Sequence, residues 1–379
     1  MNINDIAKQF RLEGEIAEIK PLGEGFINDT FIVKTTGDTP NYILQRKNHM
    51  VFPDVPAMMD NIVRVTQFMK ARIAEQGGDP MRESLTVIFA NDGKPYFYDE
   101  PNYWAVCVFI EGSVTIDNAT SLDLCFKGGQ GIGRFQKMLA DFTEPLNETI
   151  KGFHNIRFRY EQWDEMIKAD PHGLVKTVQE EISWVESRRQ QMLDFWKLVE
   201  NGSLPMRVTH NDTKLSNILF DQKGDVLCAI DLDTCMSSTA LNDVGDALRS
   251  YTNTGAEDDQ DLSRVSMDIN RFKSYVAGYL SEMKDSLNDC EKEWLAFSAI
   301  YITFEQVLRF LMDYIDGSKY WKIQYPTHTL VRTQAQYKLL QSMEAQYEEM
   351  KRIVGELCSQ GAGSKEQVAG SRYQVAGRR

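Results

Sequence analysis

Long apolar runs are missing from this 379-residue chain. None approaches the roughly 18 uninterrupted apolar residues of a membrane-crossing helix, so no span is expected. The first ten residues, MNINDIAKQF, lack the cationic start and apolar core of a secretory leader. With neither feature, the expected compartment is the cytoplasm. Cysteine is sparse: Cys107, Cys125, Cys228, Cys235, Cys290 and Cys358 are scattered with no C-x-x-C spacing. That argues against a zinc site or a dense disulfide framework. Cys107 and Cys228 fall in apolar strand patterns and are expected as buried thiols. Positive charge is in deficit, 42 Lys and Arg against 55 Asp and Glu, for a formal net charge of -13. No basic patch stands out before the polar C-terminal tail, which argues against a nucleic-acid partner. The remaining balance, 42% hydrophobic and 26% charged, is that of an ordinary globular chain.

What the chain does have is a dense polar stretch from Val208 to Asp233, VTHNDTKLSNILFDQKGDVLCAIDLD. The apolar runs Met206 to Thr209, Ile218 to Phe220 and Val226 to Ile230 read as short strands joined by tight turns. His210, Asp212, Asn217 and Asp231 stand at their ends. Phosphoryl transfer needs a carboxylate to orient the attacking hydroxyl, and oxygen ligands for the magnesium that bridges nucleotide phosphates. Asp212 suits the first task, as catalytic base. Asn217 and Asp231 suit the second, as metal ligands. The order H-x-D-x(4)-N, then about a dozen residues, then an Asp after an apolar strand, is that of a kinase catalytic loop and metal-binding Asp. Leu-Asp follows Asp231 where protein kinases have Phe-Gly. His210 is expected to hold the loop, and Asp233 ranks behind Asp231. Any one of these residues taken alone reads better as part of a polar β-turn; the whole ordered set reverses that reading.

HNDTKLSNILFD followed by IDLD resembles the aminoglycoside phosphotransferase and choline kinase superfamily of small-molecule kinases. With PLGEGFINDTFIV, YILQRKN, RVTHNDTKLSNIL, AIDLDT and RFLMDYIDGSKYWKIQYPTHTLVRTQ, the chain is most similar to the N-acetylhexosamine 1-kinases. The resemblance implies an α+β, two-lobed protein-kinase-like fold. A β-rich nucleotide-binding lobe would cover residues 1–110, and a mainly helical catalytic and substrate-binding lobe residues 111–357. Residues 358–379, polar and without periodicity, are expected as a disordered tail. It also implies ATP and Mg2+ as cofactors, a small-molecule sugar as partner, and phosphorylation of the anomeric hydroxyl of GlcNAc or GalNAc. Two alternatives stand: the same chemistry on choline, homoserine or an aminoglycoside, and a catalytically silent nucleotide-binding module.

Taken in order, the pattern predicts a helix over 4–13 capped by Asn4, a strand over 15–20 and a Gly23-x-Gly25 turn before a second strand, 31–34. Gly23 and Gly25 let the backbone approach a phosphate. A third strand, 42–46, puts Gln45 where kinases carry a phosphate-holding base, with Arg46 beside it on the opposite face. Gln45 donates hydrogen bonds but no charge, so which of the two serves the phosphates is open. A helix over 54–76 and strands at 85–90, 95–98 and 103–110 complete a five- to six-stranded antiparallel lobe. Glu111 follows, at the hinge where the kinase plan binds adenine.

Helices are predicted over 121–142, 157–169, 174–200, 241–251, 265–287, 289–315 and 330–357. Gly128, Gly129, Gly131 and Gly133 permit close packing of the first, at roughly 1 kcal/mol of propensity each. Asp243 and Asp246 lie one turn apart and suit either orienting the catalytic loop, touching substrate, or a surface role. Glu305 and Arg309 are spaced for an i,i+4 pair. By the resemblance, Arg309 and Tyr320 would instead face the sugar, with Asn28 a further substrate-binding candidate.

Overall fold

A computed structural model describes residues 1–23 and 27–359. The first helix, α1 (Ile3–Ala7), is shorter than its pattern suggests, and Asn2 rather than Asn4 caps it by accepting from Asp5 N. Phe10 leaves the helix because it is buried in the sheet's outer core and bridges to Ala90. Strands β1 (Ile16–Pro21), β2 (Asp29–Thr35) and β3 (Tyr42–Lys47) follow. Helix α2 (Val55–Glu75) starts where Asp54 accepts from Ala57 N. Strands β4 (Val87–Ile88), β5 (Phe97–Asp99) and β6 (Asn102–Val108) complete a six-stranded sheet. Its order is β1-β2-β3-β6-β4, with β5 also on β6, and all pairs are antiparallel.

Strand alternation sorts the sheet into two faces. Val33, Tyr42, Leu44 and Val106 pack with Ile6, Phe10 and Ala90 in a small outer core. Ile43, Gln45 and Lys47 point the other way, into a cleft shared with the second half of the chain.

The second half is mainly helical: α3 (Leu122–Met138), α4 (Ile156–Ala169), α5 (Gln179–Glu186) and α6 (Arg189–Glu200). The helix expected over 174–200 is therefore broken. The Ser187 hydroxyl donates to Trp184 O, and the Arg188 guanidinium leaves to pair with a distant Glu344. Next come two short hairpin-like pairings, β7 (Met206–Thr209) and, between its partners, β8 (Ile218–Phe220) with β9 (Val226–Ala229). The partner of β7 is β10 (Met236–Thr239). Helices α7 (Ala240–Thr252), α8 (Ile269–Met283), α9 (Asp289–Ile315), α10 (His328–Ala345) and α11 (Tyr347–Ser359) close the chain. One long helix over 330–357 was expected. It breaks near Gln346, whose side chain donates to Met267 O and Ser342 O. Cys358 and Ser359 are helical rather than part of a tail, and residues 360–379 lie outside the described residues.

The core is built on α9, which is long and apolar enough to cross a membrane but is mostly buried inside the protein. Gly245 of α7 lets that helix lie on α9: a Cβ there would sit 2.3 Å from Ser298 O. Gly129 and Gly133 of α3 have the predicted role against α8, while Gly128 makes room for Tyr251 of α7. A Cβ at Gly129 would be 2.1 Å from Tyr275 O, and one at Gly278 1.9 Å from Phe126 O.

Candidate active site

The stretch after β7 is held from below by α7. Asp243 accepts from His210 N at 3.0 Å and Asn211 N at 2.7 Å, and from Gln136 Nε2 at 2.8 Å. Burial pushes its pKa up, while these donors favour the ionised form. Asp246 accepts from Thr213 N at 2.8 Å. Of the readings open for this pair, orienting the loop is the one the hydrogen bonds describe. Asn211 takes a left-handed conformation, φ 64°, and its side chain donates to Thr234 O.

His210 is buried, and both ring nitrogens have partners. Asp212 N lies 3.3 Å from Nδ1, so Nδ1 accepts; Nε2 donates to Ile230 O at 2.8 Å. These two contacts brace the loop against the end of β9.

Asp212 itself is partly exposed. Its Oδ2 accepts from Lys214 Nζ and from Asn217 Nδ2, each at 2.9 Å. Burial alone would raise its pKa, but the Lys214 ammonium and these hydrogen bonds hold it below the ordinary carboxylate range. Asn217 Nδ2 also donates to Asp212 O at 2.8 Å, which leaves Oδ1 without a hydrogen-bond partner among the described residues.

Asn217 and Asp231 both line a cleft of about 550 Å3 between the sheet and the β8–β9 pair. Asp231 sits at φ 59° on the turn after β9. Burial and the nearby carboxylates of Asp233 and Asp212 push its pKa up to about 6. A carboxylate crowded by like charge, beside a free amide oxygen, is a donor set that fits a hard divalent cation. The cleft's apolar wall includes Ile43, Ala105, Leu219 and Ile230, and Gly23, at φ 68°, lies at its rim.

The cation on the sheet face of this cleft is Lys47. It is buried, and its Nζ donates to Asp233 Oδ1 and to Gln45 Oε1, each at 2.7 Å. Asp233 Oδ2 also accepts from Asn28 Nδ2 at 2.7 Å. Arg46, on the other face, is exposed and ion-paired with Asp29.

A second cluster lies at the end of α9. The Arg309 guanidinium is surrounded by the rings of Phe153, Trp321 and Tyr320, at 5.6, 5.3 and 5.9 Å. The expected Glu305–Arg309 pair does not form. Glu305 is fully buried and takes His154 and Arg159 as partners, while among the described residues Arg309 makes only a long 3.4 Å hydrogen bond to Gln306. Asp313 accepts from Tyr320 N and so fixes the turn that carries the Tyr320 ring. The cluster adjoins the Asp212 loop through the residue next to Phe153: His154 Nε2 lies 3.4 Å from Asn211 O.

Residues 18–267, about two thirds of the chain, match the phosphotransferase enzyme family, APH. The chain belongs to that family. Solved structures agree on the fold. An aminoglycoside phosphotransferase from Alicyclobacillus acidocaldarius superposes with a TM-score of 0.61 at 12% identity, covering 94% of this chain and 97% of its own. A spectinomycin phosphotransferase, solved with ADP and spectinomycin, gives 0.52 at 12% identity over 94% and 97%. A choline kinase from Streptococcus pneumoniae gives 0.51 at 15% identity over 86% and 94%. The two-lobed kinase-like fold is therefore that of this chain, and its family is one of phosphotransferases.

Within this phosphotransferase, Gly23, Gln45, Asn217 and Asp231 come together around the cleft, and Asn217 joins Asp212 to them. Gly25 lies outside the described residues. Glu111 is not part of the cleft lining: its side chain accepts from Asn41 Nδ2 and its carbonyl from Arg82, leaving Phe109 and Ile110 on the wall. Both ends of the Asn28 amide are occupied, by Asp233 and by Asn48 N, so it braces the two halves together. The choice between Gln45 and Arg46 left out the residue that supplies the buried charge, Lys47. Alternation carried the signal, because Lys47 shares a face with Gln45 two positions earlier. Lys214, two residues past Asp212, was also passed over.

Proposed function

We propose that this phosphotransferase transfers the γ-phosphoryl group of ATP to the anomeric hydroxyl of an N-acetylhexosamine. The observation that carries the transfer is the Asp212 carboxylate, pinned by Asn217, whose other side faces the cleft that holds Asp231. Asp212 accepts a hydrogen bond from the sugar hydroxyl and takes its proton. A carboxylate below the ordinary range suffices, because the transition state is loose and proton transfer is late. Lys214 stands beside Asp212 and offsets charge where the phosphoryl group arrives. Lys47 supplies positive charge from the sheet face, and the apolar wall with the Phe109–Ile110 backbone receives the adenine. Asn217 Oδ1 and Asp231 would hold magnesium, which would neutralise charge on the nucleotide phosphates.

Support for a sugar comes from Arg309. An unpaired guanidinium among three aromatic rings offers hydrogen-bond donors for hydroxyl and acetyl oxygens, with apolar faces for a pyranose. A cationic acceptor would meet Arg309 with like charge.

Magnesium-dependent ADP release tests this, with ATP and N-acetylglucosamine, N-acetylgalactosamine, galactose, choline, homoserine or kanamycin. Release with the N-acetylhexosamines, giving an acid-labile, alkali-stable phosphate, supports anomeric transfer. Release with an amine alone keeps the role of Asp212 and removes the sugar. ATP binding without release from any acceptor favours a silent binding module.

A further inference from the structure

The peptide that joins Asn211 to Asp212 is gripped at both ends by histidines. Its N–H, that of Asp212, is directed at His210 Nδ1. Its carbonyl, that of Asn211, faces His154 Nε2 at 3.4 Å. The two rings stand in different electrical settings. His210 has one donor and one acceptor as partners, which match one ring lone pair and one ring N–H. His154 has two acceptors: Asn211 O, and Glu305 Oε2 at 2.5 Å from Nδ1. A neutral imidazole has one N–H and one lone pair, so it would turn that lone pair toward an oxygen.

Glu305 is not the proton donor in this arrangement. Its other oxygen accepts from Arg159 Nε at 3.1 Å. Burial acts to raise its pKa, while the permanent cation Arg159, in contact, and Arg309 act to lower it. The remaining charges around the ring are few. From α9 come Glu305, Arg309 and Tyr301, whose hydroxyl donates to His154 O. From α4 comes Arg159, and from the loop and α7 come Asp212 and Asp243, which flank the Asn211 peptide. Arg159 and Arg309 oppose a further cation; Glu305, in direct contact, favours it. His154 is also held at φ 55°, an uncommon conformation for a residue with a Cβ. Tyr301 fixes that backbone from one side and the helix start at Ile156 from the other.

We infer that His154 is an imidazolium and a positioning residue: it donates to Glu305 and to Asn211 O, and thereby fixes the peptide that carries the Asp212 carboxylate. The inference rests on Asp212 acting as base in the proposed transfer. Loss of the proton replaces a donor with a lone pair facing Asn211 O or Glu305, and the base loses its alignment. Activity then declines once the imidazolium is lost, while nucleotide binding at the cleft is untouched.

Two measurements test this. The first needs no acceptor. In 15N-labelled protein at pH 7, the ring nitrogens of His154, assigned through backbone correlations, should have nearly equal shifts, as in an imidazolium. Well-separated shifts would overturn the inference even if the phosphotransfer reading stands. The second is the pH dependence of kcat with the identified acceptor. Glu305→Gln keeps the side chain's size and an acceptor oxygen but removes the anion, so its alkaline limb should move to lower pH with KM for ATP unchanged. His154→Gln should lower kcat on the order of 10²-fold, as for a base slightly misplaced. Superimposable alkaline limbs for Glu305→Gln and the unaltered protein would also overturn it. Equal nitrogen shifts without turnover on any acceptor would sustain the imidazolium and count against the transfer itself.

Discussion

At position 212, exchanging one oxygen for an amide nitrogen separates proton acceptance from position. Asp212→Asn keeps the side chain's shape beside Asn217 but cannot take a proton. It should lower kcat by about 10²–10⁴-fold while ATP affinity, measured by calorimetry with magnesium, stays within about twofold. Undiminished turnover would remove Asp212 as base. Arg309 makes the complementary case. With Glu305 already held by His154 and Arg159, Arg309→Ala breaks no ion pair, so the loss should fall on the acceptor. KM for the sugar should rise at least tenfold, about 1.4 kcal/mol, with KM for ATP unchanged; equal effects on both would point to a structural role. The grouping of Asp212, Asn217 and Asp231 at one cleft was legible in the sequence, because the motif that suggested it has a fixed local spacing. Lys47 and His154 were not, because their roles come from partners far along the chain: Asp233 for one, Glu305 for the other.

Elements were legible where a single face or cap decides them. α9 begins at Asn288 with a full capping box, Glu291 reaching back to the Asn288 backbone, and its predicted bounds hold. The helices predicted over 174–200 and 330–357 break in ways that periodicity does not reveal, because the breaks follow side chains that bond across the fold. The glycines of α3 show the opposite case, a sequence feature whose purpose was readable. Gly129 allows α8 to approach so closely that an added methyl would meet the Tyr275 carbonyl, which is backbone and cannot swing aside. Gly129→Ala improves helix propensity by about 1 kcal/mol, yet overpacking costs about 1–3 kcal/mol. The net effect should be destabilising, seen as a lower denaturant midpoint. A raised midpoint would mean that α3 and α8 separate at little cost. Gly355 is the control, because no heavy atom of the described residues lies within 4 Å of a Cβ there, and Gly355→Ala should be neutral or stabilising.

Across the whole molecule, the sheet and the helical half meet at a buried polar knot of Lys47, Asp233 and Asn28. Removing one partner of such a pair leaves an uncompensated charge. Lys47→Met should therefore destabilise by about 3–5 kcal/mol in denaturant titration, and adding Asp233→Leu should recover part of that. The same knot bears on pH through Asp231, whose carboxyl is raised from 3.8 to about 6 by burial and by Asp233 and Asp212. Between those values the folded chain retains a proton that the unfolded chain has released. The unfolded state thus binds fewer protons, and this group's contribution to stability falls as pH rises through that window. A divalent cation reverses the balance, because it binds the ionised carboxylate and offsets the charges that disfavour it. Magnesium with an ATP analogue should therefore raise the melting temperature little at pH 5 and much more at pH 7.5, with the change centred near 6. Asp231→Asn removes the titrating group and should flatten that dependence and weaken the shift at pH 7.5. A magnesium effect that is equal at both pH values in the unaltered protein would place the cation elsewhere than on Asp231.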